Sequence, residues 1–376
     1  MRIAHISDLH LGKTLHGFSL LDDQDFILKQ IVQILKEKEV QVLLICGDVF
    51  DKNIAPEAGI KIFRKFLNAL VCENIKVLII SGNHDSAERL TFGAEFMTEK
   101  GIYFSKVYDG DIQKVTLPDH YGPVNFYLLP FIKPSTVKHF YENEEIESYE
   151  DALSFIIKKL NVNTKERNIL LAHQNILNAE HCDSEEVIIG GLDAIGTEVF
   201  KDFDYTALGH IHKPQKIKDN IIFCGTPLKY STSELNHIKS MPVIDLQEKG
   251  SLKIDFIPLK PMRDLRQITG TFDQIMKMAK KDPNNKEDFI DIILTDENEV
   301  LDAITSLRTE YPNIIKITYD NKASKASEEN LVFENINQTN PLNTFEDFFE
   351  GRRGVKMTDE QRKIIKDLIE EIWEAD

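Results

Sequence analysis

Short β-branched runs alternate with longer amphipathic stretches over roughly the first 260 residues, the pattern of an α/β fold. Residues 3–7, 40–46, 77–81, 169–172, 206–208 and 221–224 read as strands. Between them, 21–38 reads as a helix with Phe26, Ile27, Ile31, Ile34 and Leu35 on one face. Residues 58–72 read as a second helix through Ile62, Phe63, Phe66, Leu67 and Leu70. The acidic region 138–168 reads as helical, with Ala152, Phe155, Ile156 and Leu160 as its apolar face. Near Pro258 and Pro261 the pattern breaks. A small α+β unit follows: strand 265–270, helix 272–280, strand 288–294, helix 299–309, strand 314–319. Thr271 and Gln274 have capping-box spacing at its first helix.

The expected division is therefore 1–260, 261–322, a polar linker at 323–343 rich in Asn, Ser and Glu, and a tail at 344–376. Phe345, Phe348 and Phe349 open the tail. Thr358 and Gln361 form a second capping box, followed by an apolar stripe that includes Ile365, Leu368 and Ile372 and ends near Trp373, the only tryptophan. Following a polar linker, that stripe suits docking on another chain as well as packing on its own core.

Composition narrows the class. Hydrophobic residues at 42% and charged residues at 28% exclude a disordered or collagen-like chain. No apolar run approaches the ~20 residues that span a bilayer, and the chain begins directly in a strand-like run, so a soluble cytoplasmic protein is expected. Cys46, Cys72, Cys182 and Cys224 are too scattered for a thiolate metal site or a disulfide framework. Forty-five basic against 62 acidic residues give −17, which weighs against a polyanionic partner.

The histidines change that picture. His10, His84, His173, His210 and His212 each follow a strand-like run, joined there by Asp8, Asp48 and Asn83. Ligands in open α/β sheets bind outside the carboxyl ends of strands, so these segments are expected to share one crevice. In extended chain, residues two apart face the same side, which would let Asp8 and His10, and His210 and His212, each face one ion. Imidazole, carboxylate and amide oxygen without sulfur suit Mn²⁺, Fe²⁺ or Zn²⁺ better than Mg²⁺. Seven ligands drawn from these eight residues are too many for one ion and right for two that share a carboxylate.

The ordered set Asp8-x-His10, Gly47-Asp48, Gly82-Asn83-His84-Asp85, a lone His173 and Gly209-His210-x-His212 resembles the calcineurin-like metallophosphoesterases. Asp8-Leu9-His10-Leu11-Gly12, Gly47-Asp48-Val49-Phe50-Asp51 and Gly225-Thr226-Pro227-Leu228-Lys229-Tyr230-Ser231 further resemble the SbcD family of bacterial nuclease subunits. This implies a sandwich of two central β-sheets flanked by helices, a small α+β capping domain and a C-terminal helical tail. It implies one metal held by Asp8, His10, Asp48 and His212, and a second held by Asp48, Asn83, His173 and His210. His84 would be a non-ligand that faces the scissile phosphate and serves the leaving oxygen. The expected activity is Mn²⁺-dependent, 3′→5′ exonucleolytic on duplex ends and endonucleolytic on single strands and hairpins. The expected partners are DNA, a second copy, and the SbcC ATPase docked on the terminal helix.

Several residues admit blander readings. Asp51 would be an outer support for the metals or the end of a turn. Asp85 would orient His84 or, with Glu88, cap a helix. Lys229, Tyr230 and Ser231 would touch DNA phosphates or simply follow a core strand. The same two-metal site would also serve a small-substrate phosphodiesterase or phosphatase, and a scaffold that binds DNA ends or SbcC without cleaving is the third reading.

Overall fold

The computed structural model describes residues 1–185, 193–298 and 300–321, together with 342, 345–346, 349, 356–358 and 360–365. Two six-stranded sheets face each other. In the first, the strands run in the order Leu252–Pro258, Ser240–Leu246, Arg2–Ile6, Val42–Cys46, Lys76–Ile80, Ile102–Phe104. The second has the order Gln215–Lys218, Ile221–Phe223, Tyr205–Gly209, Arg167–His173, Gly122–Leu128, Gln113–Asp119. The fold is thus the expected metallophosphoesterase sandwich.

Its layers follow from side-chain alternation. Val42, Leu44 and Cys46 point into the core between the sheets, with Ile3, Leu78, Phe126, Ile169 and Leu171. Their neighbours Leu43 and Ile45 point outward, against the helices Leu21–Glu37 and Glu57–Cys72. A strand covered on both faces must be apolar throughout, and the run Val-Leu-Leu-Ile-Cys is buried at every position. On the outer face of the second sheet, helix Tyr149–Lys159 contributes Ala152, Leu153, Ile156 and Ile157 to a third cluster.

One local expectation is corrected, and two strand pairs stand outside the sequence reading. Region 138–168 is helical only in Pro134–Phe140 and Tyr149–Lys159, because the intervening acidic segment has no apolar stripe to bury. The hairpin of Gln113–Asp119 and Gly122–Leu128, which occupies one edge of the second sheet, lacks a clean alternation in sequence and escaped the reading. The antiparallel pair Ser240–Leu246 and Leu252–Pro258 escaped it too.

Met1–Ile293 and Val300–Thr318 pack as one compact unit. The three strands Leu265–Gly270, Phe289–Leu294 and Ile314–Tyr319 form a separate small sheet ordered first, second, third. The Thr271–Gln274 capping box is made in both directions at helix Phe272–Ala279. The carboxylate of Asp23 accepts from Nε and Nη2 of Arg263, whose guanidinium also lies over the Phe289 ring at 4.6 Å. Leu265 and Phe289 enter the main core beside Leu20, so the small sheet is seated on the sandwich and not tethered beside it.

The remaining described residues are taken by themselves. Thr358 and Gln361 make their capping box, at 3.0 and 3.3 Å, ahead of the helical residues 360–365. Phe345 is exposed, Phe349 and Ile365 are half-buried, and Phe348, Leu368, Ile372 and Trp373 lie outside the described residues. No described helix is long and apolar enough to cross a membrane.

Candidate metal centre

Parallel strands deliver the candidate residues to one edge. Arg2–Ile6 leads into Asp8 and His10, Val42–Cys46 into Asp48, and Lys76–Ile80 into Asn83 and His84, all from strands paired in parallel. From the second sheet, Arg167–His173 ends on His173, and its parallel neighbour Tyr205–Gly209 leads into His210 and His212.

The residues meet by a different backbone route from the one expected. Asp8, His10, Asp48 and His210 have left-handed φ values of 52°, 42°, 50° and 96°, so the pairs spaced by two come together on tight turns and not on extended strand. Such conformations cost of order 1–3 kcal/mol each outside glycine and persist only where surroundings enforce them. Here the turns are zipped together: Asp8 N–H donates to Gly47 O, His10 N–H to Asp48 O and Leu11 N–H to Val49 O, each at 3.0 Å. Gln24, buried on the first helix, adds a clamp by donating to His10 O at 2.8 Å and accepting from Gly12 N–H at 3.0 Å. A polar residue one turn before Ile27 and Leu28 on a core-facing stripe was the available signal for Gln24. The glycines give space: a Cβ at Gly82 would lie 2.1 Å from Asp48 Oδ1, and one at Gly47 (φ +88°) 2.2 Å from His173 Nδ1.

All seven candidate ligands converge. His10 Nε2 lies 3.2 Å from His212 Nε2 and 3.7 Å from Asp48 Oδ2. His173 Nε2 lies 3.3 Å from the same Asp48 Oδ2, 3.9 Å from Asp8 Oδ1 and 3.0 Å from Asn83 Oδ1, which is also 3.1 Å from His210 Nδ1. Ligands bonded at about 2.1 Å to one cation stand roughly 3.0 Å apart when adjacent and up to about 4.2 Å when opposite, so these spacings fit two cation positions. Asp48 Oδ2 faces both groups, while its Oδ1 accepts from His84 N–H at 2.9 Å. The donor set therefore fits a pair of divalent ions that share Asp48.

The electrostatics agree with that fit. Burial pushes the Asp8 carboxyl up to about 6, against the pull of His173 and His212. Burial also opposes ionisation of Asp48, yet His173 and His10 hold it well below the usual carboxylate range. Burial lowers His210 to about 3 and His10 well below its ordinary value, whereas Asp48 and Asp8 override burial and lift His173 to about 9. Buried carboxylates and imidazoles that must share protons this way form a donor set suited to divalent cations.

Around the ligands, His84 stands edge-on to His10 with ring centroids 4.8 Å apart, and its Nδ1 meets the Asp51 carbonyl at 3.0 Å. That contact requires a proton on Nδ1. His84 is also near enough to His10 and Asp48 to be considered as a ligand on distance alone. The Asp51 carboxylate pairs with Lys13 at 2.8 Å and approaches His10 Nδ1 at 3.7 Å.

Asp85 does not cap a helix: Ala87–Leu90 has Ser86 as its N-cap and no side-chain cap bond. Instead its carboxylate, pushed up to about 6 by burial and by Asp48, accepts the N–H groups of Val49, Phe50 and Gly82 and ties two site loops together. The trio at 229–231 makes structural contacts as well. Lys229 binds Asp264 at 3.0 Å and Leu265 O at 3.3 Å, and Ser231 caps the short helix Thr232–Glu234. Tyr230 is buried, donates to Leu9 O at 2.6 Å and packs edge-on to His10 and His212, which removes it from any DNA-facing surface.

Among solved structures, the chain is similar to a dimetal phosphatase from Danio rerio (12% identity, 69% of this chain and 99% of that one, TM-score 0.43). It is also similar to the protein TT1561 of Thermus thermophilus (11%, 68% and 98%, TM-score 0.35). Residues 261–353 match the SbcD C-terminal family model, described as "Type 5 capsule protein repressor C-terminal domain". Residues 1–214, which carry every candidate ligand, match the calcineurin-like phosphoesterase model. With its sandwich and its convergent Asp, Asn and His side chains, the chain belongs to the calcineurin-like phosphoesterase family.

Proposed function

We propose that this phosphoesterase is a two-metal DNA nuclease of the SbcD type, cleaving duplex ends in the 3′→5′ direction and single strands and hairpins internally. The observation that carries the reading is the pairing of a shared-carboxylate donor set at Asp48 with an SbcD C-terminal match over 261–353. Asp8, His10, Asp48 and His212 would hold one ion and Asp48, Asn83, His173 and His210 the other, with Mn²⁺ in both and Fe²⁺ or Zn²⁺ as substitutes. Two such ions supply charge stabilisation at the attacking and leaving oxygens of a phosphoryl displacement. His84, its Nδ1 proton committed to the Asp51 carbonyl, would present Nε2 to the phosphate and protonate the leaving oxygen.

In this reading 1–260 is the nuclease domain, 261–322 caps the DNA, 323–343 is a linker and 344–376 docks on the SbcC ATPase in the cytoplasm. Residues 263–322 carry nine basic and twelve acidic side chains, a net of −3, so the cap has no excess of positive charge. The isolated chain is therefore expected to bind DNA weakly and with strong salt dependence, SbcC supplying much of the grip. The deciding assay uses the purified chain with Mn²⁺ on duplex DNA and on a small phosphodiester, with and without SbcC. Cleavage of DNA supports the nuclease. Hydrolysis of the small ester alone, with SbcC present, would assign the site to a small substrate, and no hydrolysis of either would favour a scaffold.

The reading also includes a homodimer. An apolar groove of about 840 Å³ is lined by Phe50, Phe63, Leu67, Phe92, Phe96 and Met97, with Phe92 and Phe96 86% and 82% exposed. Apolar surface of that kind marks an interaction site. A second copy is the proposed occupant. Phe96→Glu is expected to convert a dimer to a monomer in sedimentation equilibrium; a wild-type chain monomeric at tens of micromolar would refute it.

A further inference from the structure

His212 is held at its backbone and at both ring nitrogens, largely by residues outside the recognised motifs. Its backbone N–H donates to Glu185 Oε1 at 2.6 Å, and its carbonyl accepts from Lys239 Nζ at 2.9 Å and Thr226 N–H at 3.1 Å. Its two ring nitrogens face opposite ways. Nε2 points into the metal centre, 3.2 Å from His10 Nε2, and Nδ1 lies 2.7 Å from Ser184 Oγ. The Ser184 hydroxyl in turn donates to Glu234 Oε1 at 2.7 Å, and Cys182 Sγ lies 3.1 Å from the same hydroxyl oxygen. Glu234 is fully buried, and its other oxygen is bound by the buried ammonium of Lys239.

We propose that Ser184 and Glu234 are positioning residues that fix His212 as the Nδ1–H tautomer, so that Nε2 is presented as a donor to the first metal ion. The polarity of the chain permits only this arrangement. Glu234, held ionic beside Lys239, can only accept; Ser184 has one proton and gives it to Glu234. The hydroxyl is left with lone pairs, so the imidazole must supply the proton between them. That proton then cannot sit on Nε2. A carboxylate reached through one hydroxyl also draws positive charge towards Nδ1 and makes Nε2 a better donor, as outer-sphere partners of ligating histidines do. The relay comes from two segments distant in sequence, 182–185 and 226–239, so it forms only once both have folded against His212.

The proposal rests on His212 being a metal ligand, and the test separates the two. Mn²⁺ would be titrated into the full-length protein by calorimetry and electron paramagnetic resonance, without DNA. Ser184→Ala is expected to weaken one of two ions by about 10–100-fold and leave the other ion and the metal-free thermal midpoint unchanged, with Ser184→Thr restoring binding. Glu234→Gln should weaken the same ion. His212→Ala should abolish that ion altogether. If His212→Ala loses one ion while Ser184→Ala and Glu234→Gln bind both as tightly as wild type, the relay is refuted and the ligand set stands. Two ions at wild-type affinity in His212→Ala would overturn the ligand assignment and the relay with it.

Discussion

Asp48→Asn is expected to reduce the bound ions from two to at most one and to lower phosphodiester cleavage by at least about 10³-fold, the scale of several kcal/mol of lost charge stabilisation. The substitution conserves volume, so packing in this buried position changes little. What it removes is the charge on Oδ2, the one oxygen that faces His10 Nε2 at 3.7 Å and His173 Nε2 at 3.3 Å. Without it, neither group of ligands keeps its common member. Oδ1, an amide oxygen in the variant, still accepts from His84 N–H, so the loop carrying His84 keeps that anchor. Metal analysis by mass spectrometry alongside initial rates checks both halves. Two retained ions with activity within tenfold of wild type would mean that Asp48 is not shared.

His84→Leu should give the opposite pairing: both ions bound as in wild type, and cleavage reduced by about 10²–10⁴-fold, the usual contribution of a general acid. His84 sits close enough to His10 and Asp48 to be taken for a ligand, and the variant discriminates between these roles. Its Nδ1 is turned to the Asp51 carbonyl, and leucine leaves the Asp48–backbone contact intact because that contact uses the main-chain N–H. Loss of an ion in this variant would make His84 a ligand. Unchanged cleavage would move the acid elsewhere.

Much of this was legible from residue order because strands buried on both faces are written in apolar runs, and parallel strands place their ends together. Val42–Cys46 and Tyr205–Gly209 are of that kind, and the polar residues that follow them lie at the site. The left-handed turns at Asp8, His10, Asp48 and His210 were not legible, since aspartate and histidine reach such φ values only where tertiary contacts hold them. Tyr230 and Lys229 illustrate a second blind spot. A motif fixes which residues occur together without saying which face the interior, and here they brace Leu9 and the small sheet. Ser184 and Glu234 carry no local signal, because their meaning depends on a contact fifty residues apart.

The division of the ligands between the sheets has one more consequence. Asp8, His10, Asp48 and Asn83 belong to the first sheet, and His173, His210 and His212 to the second, so each proposed ion would draw on both. A cation in either position is then a cross-link between the halves of the sandwich, one that the unfolded chain cannot make. Bound only by the native state, each ion would add RT ln(1 + [M]/Kd) to its stability, about 2.7 kcal/mol at a hundredfold excess over Kd. On that scale the bound ions would be part of the protein's mechanical frame, and chelation would loosen the packing of the two sheets as well as silence the chemistry.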